Sequence, residues 1–119
     1  MKKLLITLLL VSPFSFAGWG DVYYCQMTSN SGITLEGERI DYNLEKFTFK
    51  LDETKNAMVF GKSGSFKDFV MPMEGFYPPA EEWRASAFIS KGHFEKGKFL
   101  YADVGSFGAT MLSADCDKF

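Results

Sequence analysis

An all-β fold is predicted for this 119-residue chain: a small antiparallel up-and-down barrel of about seven to nine short strands, closed by one disulfide. Three observations predict it. Apolar and polar residues alternate with period two in several segments, as in strands with one buried face. Turn signals rich in Gly, Asn, Asp and Ser recur roughly every 8–12 residues, the spacing of a barrel or sandwich. The two cysteines, Cys25 and Cys116, stand near the two ends of one domain, so pairing them brings the first and last strands together. Closure also removes the exposed edges of a small sheet. A two-sheet β-sandwich is the alternative.

The chain begins Met1-Lys2-Lys3, runs apolar over residues 4–11, and then places small residues at Ser15 and Ala17. A basic start, a short apolar stretch and small residues at the −3 and −1 positions make a secretory signal. Residues 1–17 are therefore expected to be a cleavable signal peptide, and residues 18–119 a single domain. The apolar run is shorter than the roughly 20 residues a membrane-crossing helix needs, so no stable membrane anchor is expected after cleavage. A periplasmic or secreted location follows. In such an oxidising setting the two cysteines are expected to pair, and without Cys-x-x-Cys spacing the pair is structural, not redox-active.

The first strand is expected over residues 21–28, rich in Val and Tyr and carrying Cys25. Asn30-Ser31-Gly32 reads as a turn, with residues 33–38 running back. Phe47-Thr48-Phe49-Lys50-Leu51-Asp52 alternates without a break, and a polar turn then leads to 57–60, so residues 46–61 form a hairpin. After a turn at 62–65, a short strand is expected at 66–71. Residues 83–90 form the next strand, broken by Lys91-Gly92. Lys96-Gly97 precedes a strand at 98–104, and residues 106–116 close the chain. Helix signals are weak and confined to 40–44 and 78–83.

Loss of the leader removes Lys2 and Lys3 and no acid, leaving eleven basic against fifteen acidic residues and a net charge of −4. The signs are interspersed, which argues against nucleic acid as a partner, since that needs clustered Lys and Arg. His93 is the only histidine; with no second His and no free Cys near it, no metal site is expected. Ser63, between Lys62 and Gly64, lacks the Gly-x-Ser-x-Gly pattern of a nucleophile elbow. Glu81 and Glu82 are adjacent, so on a strand they face opposite ways. No catalytic residues and no cofactor are expected, and the chain reads as a non-enzyme.

Residues 71–83 combine prolines, aromatics and methionines between strand-like runs. Phe76, Tyr77 and Trp83 are candidates there for a rigid aromatic binding loop; the competing expectation is that they plug one end of the barrel.

Val22-Tyr23-Tyr24-Cys25, Phe47-x-Phe49-Lys50, the run from Gly97 to Ala102 and the ending Ala114-Asp115-Cys116-Asp117-Lys118-Phe119 together resemble small exported β proteins of unassigned function from aquatic bacteria. That resemblance implies no activity. The order Tyr23-Tyr24-Cys25, Ser63-Gly64-Ser65-Phe66, Ile89-Ser90-Lys91-Gly92 and Cys116 is also similar to the periplasmic inhibitors of C-type lysozyme. Those are small disulfide-bonded barrels that present a Ser-Gly loop to the lysozyme active site, which implies Ser63 and Gly64 as an inhibitor-type loop. The chain departs from their pattern in the long gap from Ser63-Gly64 to Lys91-Gly92, in an aromatic that follows Ser-Gly one position early, and in the lack of a Trp before Lys-Gly. The Gly-x-Trp motif of lipocalins does not occur, because Gly18-Trp19 has no spacer. The expected function is a non-enzymatic binding or interaction module for a small apolar ligand or an envelope protein. Inhibition of a lysozyme-type wall hydrolase is the alternative.

Overall fold

The computed structural model describes residues 17–77 and 81–119, and these contain nine strands and no helix. They are β1 (Val22–Thr34), β2 (Arg39–Asp41), β3 (Lys46–Asp52), β4 (Ala57–Phe60), β5 (Val70–Tyr77), β6 (Glu82–Ala87), β7 (Ser90–Glu95), β8 (Lys98–Gly105) and β9 (Gly108–Lys118). Eight of them close an antiparallel barrel in the order β1-β3-β4-β5-β6-β7-β8-β9, with β9 pairing back onto β1. The ninth, β2, is an extra strand laid against the far half of β1. Because the ring of pairings is continuous, the sandwich alternative does not apply.

Alternation along each strand decides what points inward. In β3, Phe47, Phe49 and Leu51 are buried between outward Lys46, Thr48 and Lys50, as period two requires. The inward rings meet across the barrel. Phe49 packs against Phe94 of β7 at 5.1 Å, Tyr23 against the same Phe94 at 4.7 Å, and Phe47 against Phe99 of β8 at 5.5 Å. These contacts are tilted or edge-on, the geometry aromatic quadrupoles favour. They join strands on opposite sides of the ring, so side chains fill the interior, near the limit expected for eight strands.

The disulfide lies in the seam. Cys25 and Cys116 are directly opposed in the β1–β9 ladder, 4.0 Å apart at Cα, and join positions 91 residues apart in sequence. The seam itself is long, with eleven register pairs from Tyr23↔Lys118 to Thr34↔Gly108. Gly108 has φ of 131°, and a Cβ there would collide with the Ile33 carbonyl oxygen. Glycine is thus required where the β8–β9 turn re-enters the ladder.

Several expected boundaries shift. Asn30-Ser31-Gly32 lies inside β1, because pairing with β9 on one side and β2 on the other outweighs local turn propensity; the reversal comes at residues 35–38 instead. The strand expected at 66–71 is a turn as far as residue 68, and Phe66 drops into the core. Much of the expected loop 71–83 is strand β5, where Pro72 sits close to the bulge between Met73 and Gly75, a place that tolerates proline. Lys91-Gly92 does not break a strand. Gly92 lies mid-strand in β7, where a Cβ would come within 3.0 Å of the Met71 side chain. The reversal falls at residues 88–89. Neither expected helical turn forms among the described residues: Ile40 and Asp41 are in β2, Glu82 and Trp83 in β6, and residues 78–80 lie outside the described residues. So do residues 1–16, and with them nearly all of the expected signal peptide.

Candidate functional site

Strand direction places the connections 35–45, 61–69, 88–89 and 106–107 at one end of the barrel. Between them lies a cleft of about 550 Å³. Its floor is Phe66, Phe69 and Leu112, and its walls include Asn30, Asn43, Ser90 and Tyr101. The floor forms because residues 61–69 fold over the β3–β4 edge. Lys67 N donates to the Gly64 carbonyl and Phe69 N to the Phe66 carbonyl, a tight turn that aims Phe66 inward against Phe47, Phe60 and Tyr101.

A short polar chain runs along the wall. Tyr101 Oη donates to Asp103 Oδ2 at 2.6 Å and lies 2.9 Å from Ser90 Oγ. Residues two apart on a strand share a face, so β8 supplies Tyr101 and Asp103 together, and register pairs Ser90 with Asp103 across the ladder. Burial first, and then the bond to Asp103, push the Tyr101 phenol up to about 12. It is a neutral donor at ordinary pH and a poor base for Ser90. Asp103 Oδ1 is buried without a hydrogen-bond partner among the described residues.

At the opposite end, Trp83 is 1% exposed; it packs edge-on against Trp19 at 5.0 Å and in a tilted stack against Phe76 at 4.2 Å. Of the three expected loop residues, Trp83 is therefore a core side chain and Phe76 half covers it. Tyr77 ends β5, and only its backbone is described. Ser63 and Gly64 lie in an exposed turn with Gly64 at φ of 81°, anchored where Ser65 N donates to Glu45 Oε1 at 2.9 Å. Ser63 borders a shallow outer cleft with Tyr24, Lys46 and Thr48, apart from the mouth.

His93 stands on the outer wall of β7. Its Nδ1 is 3.2 Å from Glu82 Oε2 and its Nε2 is 3.1 Å from Glu95 Oε1. Arg84 grips Glu82 through Nε and Nη2, each at 3.2 Å, which raises the guanidinium pKa. His93, which the sequence shows without a second His or a free Cys nearby, is thus the centre of a carboxylate cluster. His93 and Arg84 also border a second groove of about 540 Å³ on the outer face, together with Leu100 and Met111. Ser90 faces inward and Ser63 lies in a separate turn, so neither meets the imidazole, whose two nitrogens face Glu82 and Glu95.

Fold and site define a small disulfide-closed antiparallel barrel with a filled interior, an open mouth at one end and an aromatic cluster around Trp83 toward the other. The chain matches no protein-family model, no curated protein and no solved structure. The disulfide is consistent with an oxidising or extracellular location, and no helix among the described residues is long and apolar enough to cross a membrane.

Proposed function

We propose that this is an exported, non-enzymatic binding module whose ligand occupies the barrel mouth. The observation that carries this reading is the mouth itself. Its cleft of about 550 Å³ sets two phenylalanine rings beneath a polar chain of Ser90, Tyr101 and Asp103. Small-molecule sites have that size and that mixture of apolar floor and few fixed polar groups. Because the interior is filled by rings in contact across the axis, a small apolar ligand with a hydroxyl or amide at one end seats above the core, not within it.

Native mass spectrometry of protein recovered from an exporting host tests this. A bound species of roughly drug size, lost on denaturation and absent from an Asn43→Trp variant that obstructs the exposed rim, supports the reading. A bare mass, together with a fragment screen by NMR that shifts no residue of the mouth, sinks it. The exposed Ser63-Gly64 turn favours a second reading, inhibition of a lysozyme-type hydrolase; an unchanged lysozyme rate at micromolar protein removes that one.

A further inference from the structure

We propose that Glu82, His93 and Glu95 form a binding site for one divalent transition-metal ion, Zn²⁺ by chemistry, on the outer wall of the barrel. The site is independent of the mouth. Register sets Glu82 opposite Glu95 and Arg84 opposite His93 across the β6–β7 ladder. Residues two apart on a strand share a face, so both carboxylates and the imidazole come together on the outside. One ligand atom from each of the three lies within 4.8 Å of the other two. Ligands at 2.0–2.2 Å from a tetrahedral ion sit about 3.4 Å apart, so small side-chain rotations close the set. The imidazole already meets Glu82 at 3.2 Å through Nδ1 and Glu95 at 3.1 Å through Nε2; one of these nitrogens serves as the ligand, so one edge of the set stands and the other carboxylate turns toward that nitrogen.

The surroundings suit a cation. The three side chains are only 17, 35 and 36% exposed, so water screens them less than surface carboxylates. A ligating imidazole is unprotonated, so the two carboxylates bring a charge of −2 to the ion; Arg84 on Glu82 offsets one unit and leaves the set net negative. Arg84 holds both oxygens of Glu82, the kind of outer contact that orients a ligating carboxylate. One nitrogen and two oxygens, with both cysteine sulfurs locked in the disulfide, match a borderline ion such as Zn²⁺ better than a soft one. Three protein ligands leave a coordination position open, and His93 borders the outer groove.

The test uses untagged, chelator-stripped protein and ZnCl₂ alone. His93 is the only histidine, so its ring signals in a ¹H–¹³C spectrum report the site without assignment. We expect a saturable one-to-one shift of those signals. By calorimetry, His93→Gln and Glu95→Gln should each weaken Zn²⁺ binding at least tenfold, whereas Glu36→Gln, an exposed acid outside the cluster, leaves it unchanged. No saturable ring shift up to roughly 1 mM Zn²⁺, or calorimetric affinity that survives His93→Gln, overturns the proposal. Because the ring shift is read on unmodified protein, it holds even if a variant folds poorly.

Discussion

Reducing the Cys25–Cys116 bond should cost this barrel a large share of its stability. The two residues are 91 apart, so the bond closes nearly the whole domain into one loop. In the chain-entropy treatment the loss of denatured-state freedom for a loop of this length is worth about 4–5 kcal/mol at 25 °C. The native state supplies little to offset its removal, because the eleven register pairs of the β1–β9 seam hold Cys25 and Cys116 in place with or without the covalent link. Reduced and oxidised forms also bury the same atoms. A stability difference between them therefore reports the unfolded chain.

Urea unfolding of oxidised protein and of protein in reductant measures that difference. With m of about 1–2 kcal/mol/M, the midpoint should fall by roughly 2–5 M, and the melting temperature by roughly 20–30 °C. A Cys25→Ala/Cys116→Ala variant should lose somewhat more than the reduced protein, since both sulfurs are buried and leave small voids. A reduced-versus-oxidised difference below about 1 kcal/mol would refute the reasoning. It would mean that the denatured chain already keeps its ends together.

Three further outcomes follow from the core and the backbone. Trp83→Ala should destabilise by about 3–5 kcal/mol in chemical denaturation; Trp83→Phe should cost far less, because buried Trp83 Nε1 has no hydrogen-bond partner among the described residues and the change removes that donor. Gly108→Ala forces a Cβ onto the Ile33 carbonyl at φ of 131° and should cost at least about 1–3 kcal/mol; protection of the Ile33–Thr34 end of the seam should fall first in hydrogen exchange. In a spectrophotometric titration, Tyr23 and Tyr101, both pushed up to about 12 chiefly by burial, should stay neutral near pH 10 while the unfolded chain ionises there. Between pH 10 and 12 the unfolded state releases protons that the folded state keeps, so stability is intact below pH 10 and falls as pH rises through that window. A single phenol transition near 10 with no loss of structure would contradict it.

The barrel was legible because its physics is local. Alternation in Phe47-Thr48-Phe49-Lys50-Leu51 names a buried face without any knowledge of the partner strand, and two cysteines near the chain ends demand adjacent first and last strands. The boundaries that moved are those set by distant contacts. Gly32 reads as a turn, yet in β1 it allows close approach of the Ala109 carbonyl, 2.8 Å from where a Cβ would stand. Gly92 reads as a breaker, yet it makes room for Met71. In both places a glycine serves packing between strands, and no sequence window contains the residue it packs against. Trp83 and Phe76 carried two possible roles, and only the arrival of Trp19 from the start of the domain places Trp83 in the core.

The sites depended on register, and register depended on one turn. A hairpin centred on Phe88 and Ile89 sets Glu82 opposite Glu95 and Arg84 opposite His93. Had the reversal fallen at Lys91-Gly92, where the turn residues stand, Glu82 would oppose Tyr101 and the carboxylate cluster around His93 would not exist. The turn that forms carries no Gly, Asn or Pro; Phe88 takes φ of 54° and lies fully exposed, so composition gives no hint of it. What selects it is the interior. Centring the hairpin there turns Trp83, Ala85, Phe94 and Gly92 inward together, filling the barrel beside Met71, whereas a shift by an odd number of residues would flip one strand against the other and drive either Arg84 or His93 into a ring of phenylalanines. The outward cluster is thus a consequence of core packing on the other face of the same two strands. Tyr101-x-Asp103 was open to view as a same-face pair on β8, but its meaning came from Ser90, which that register delivers to the mouth.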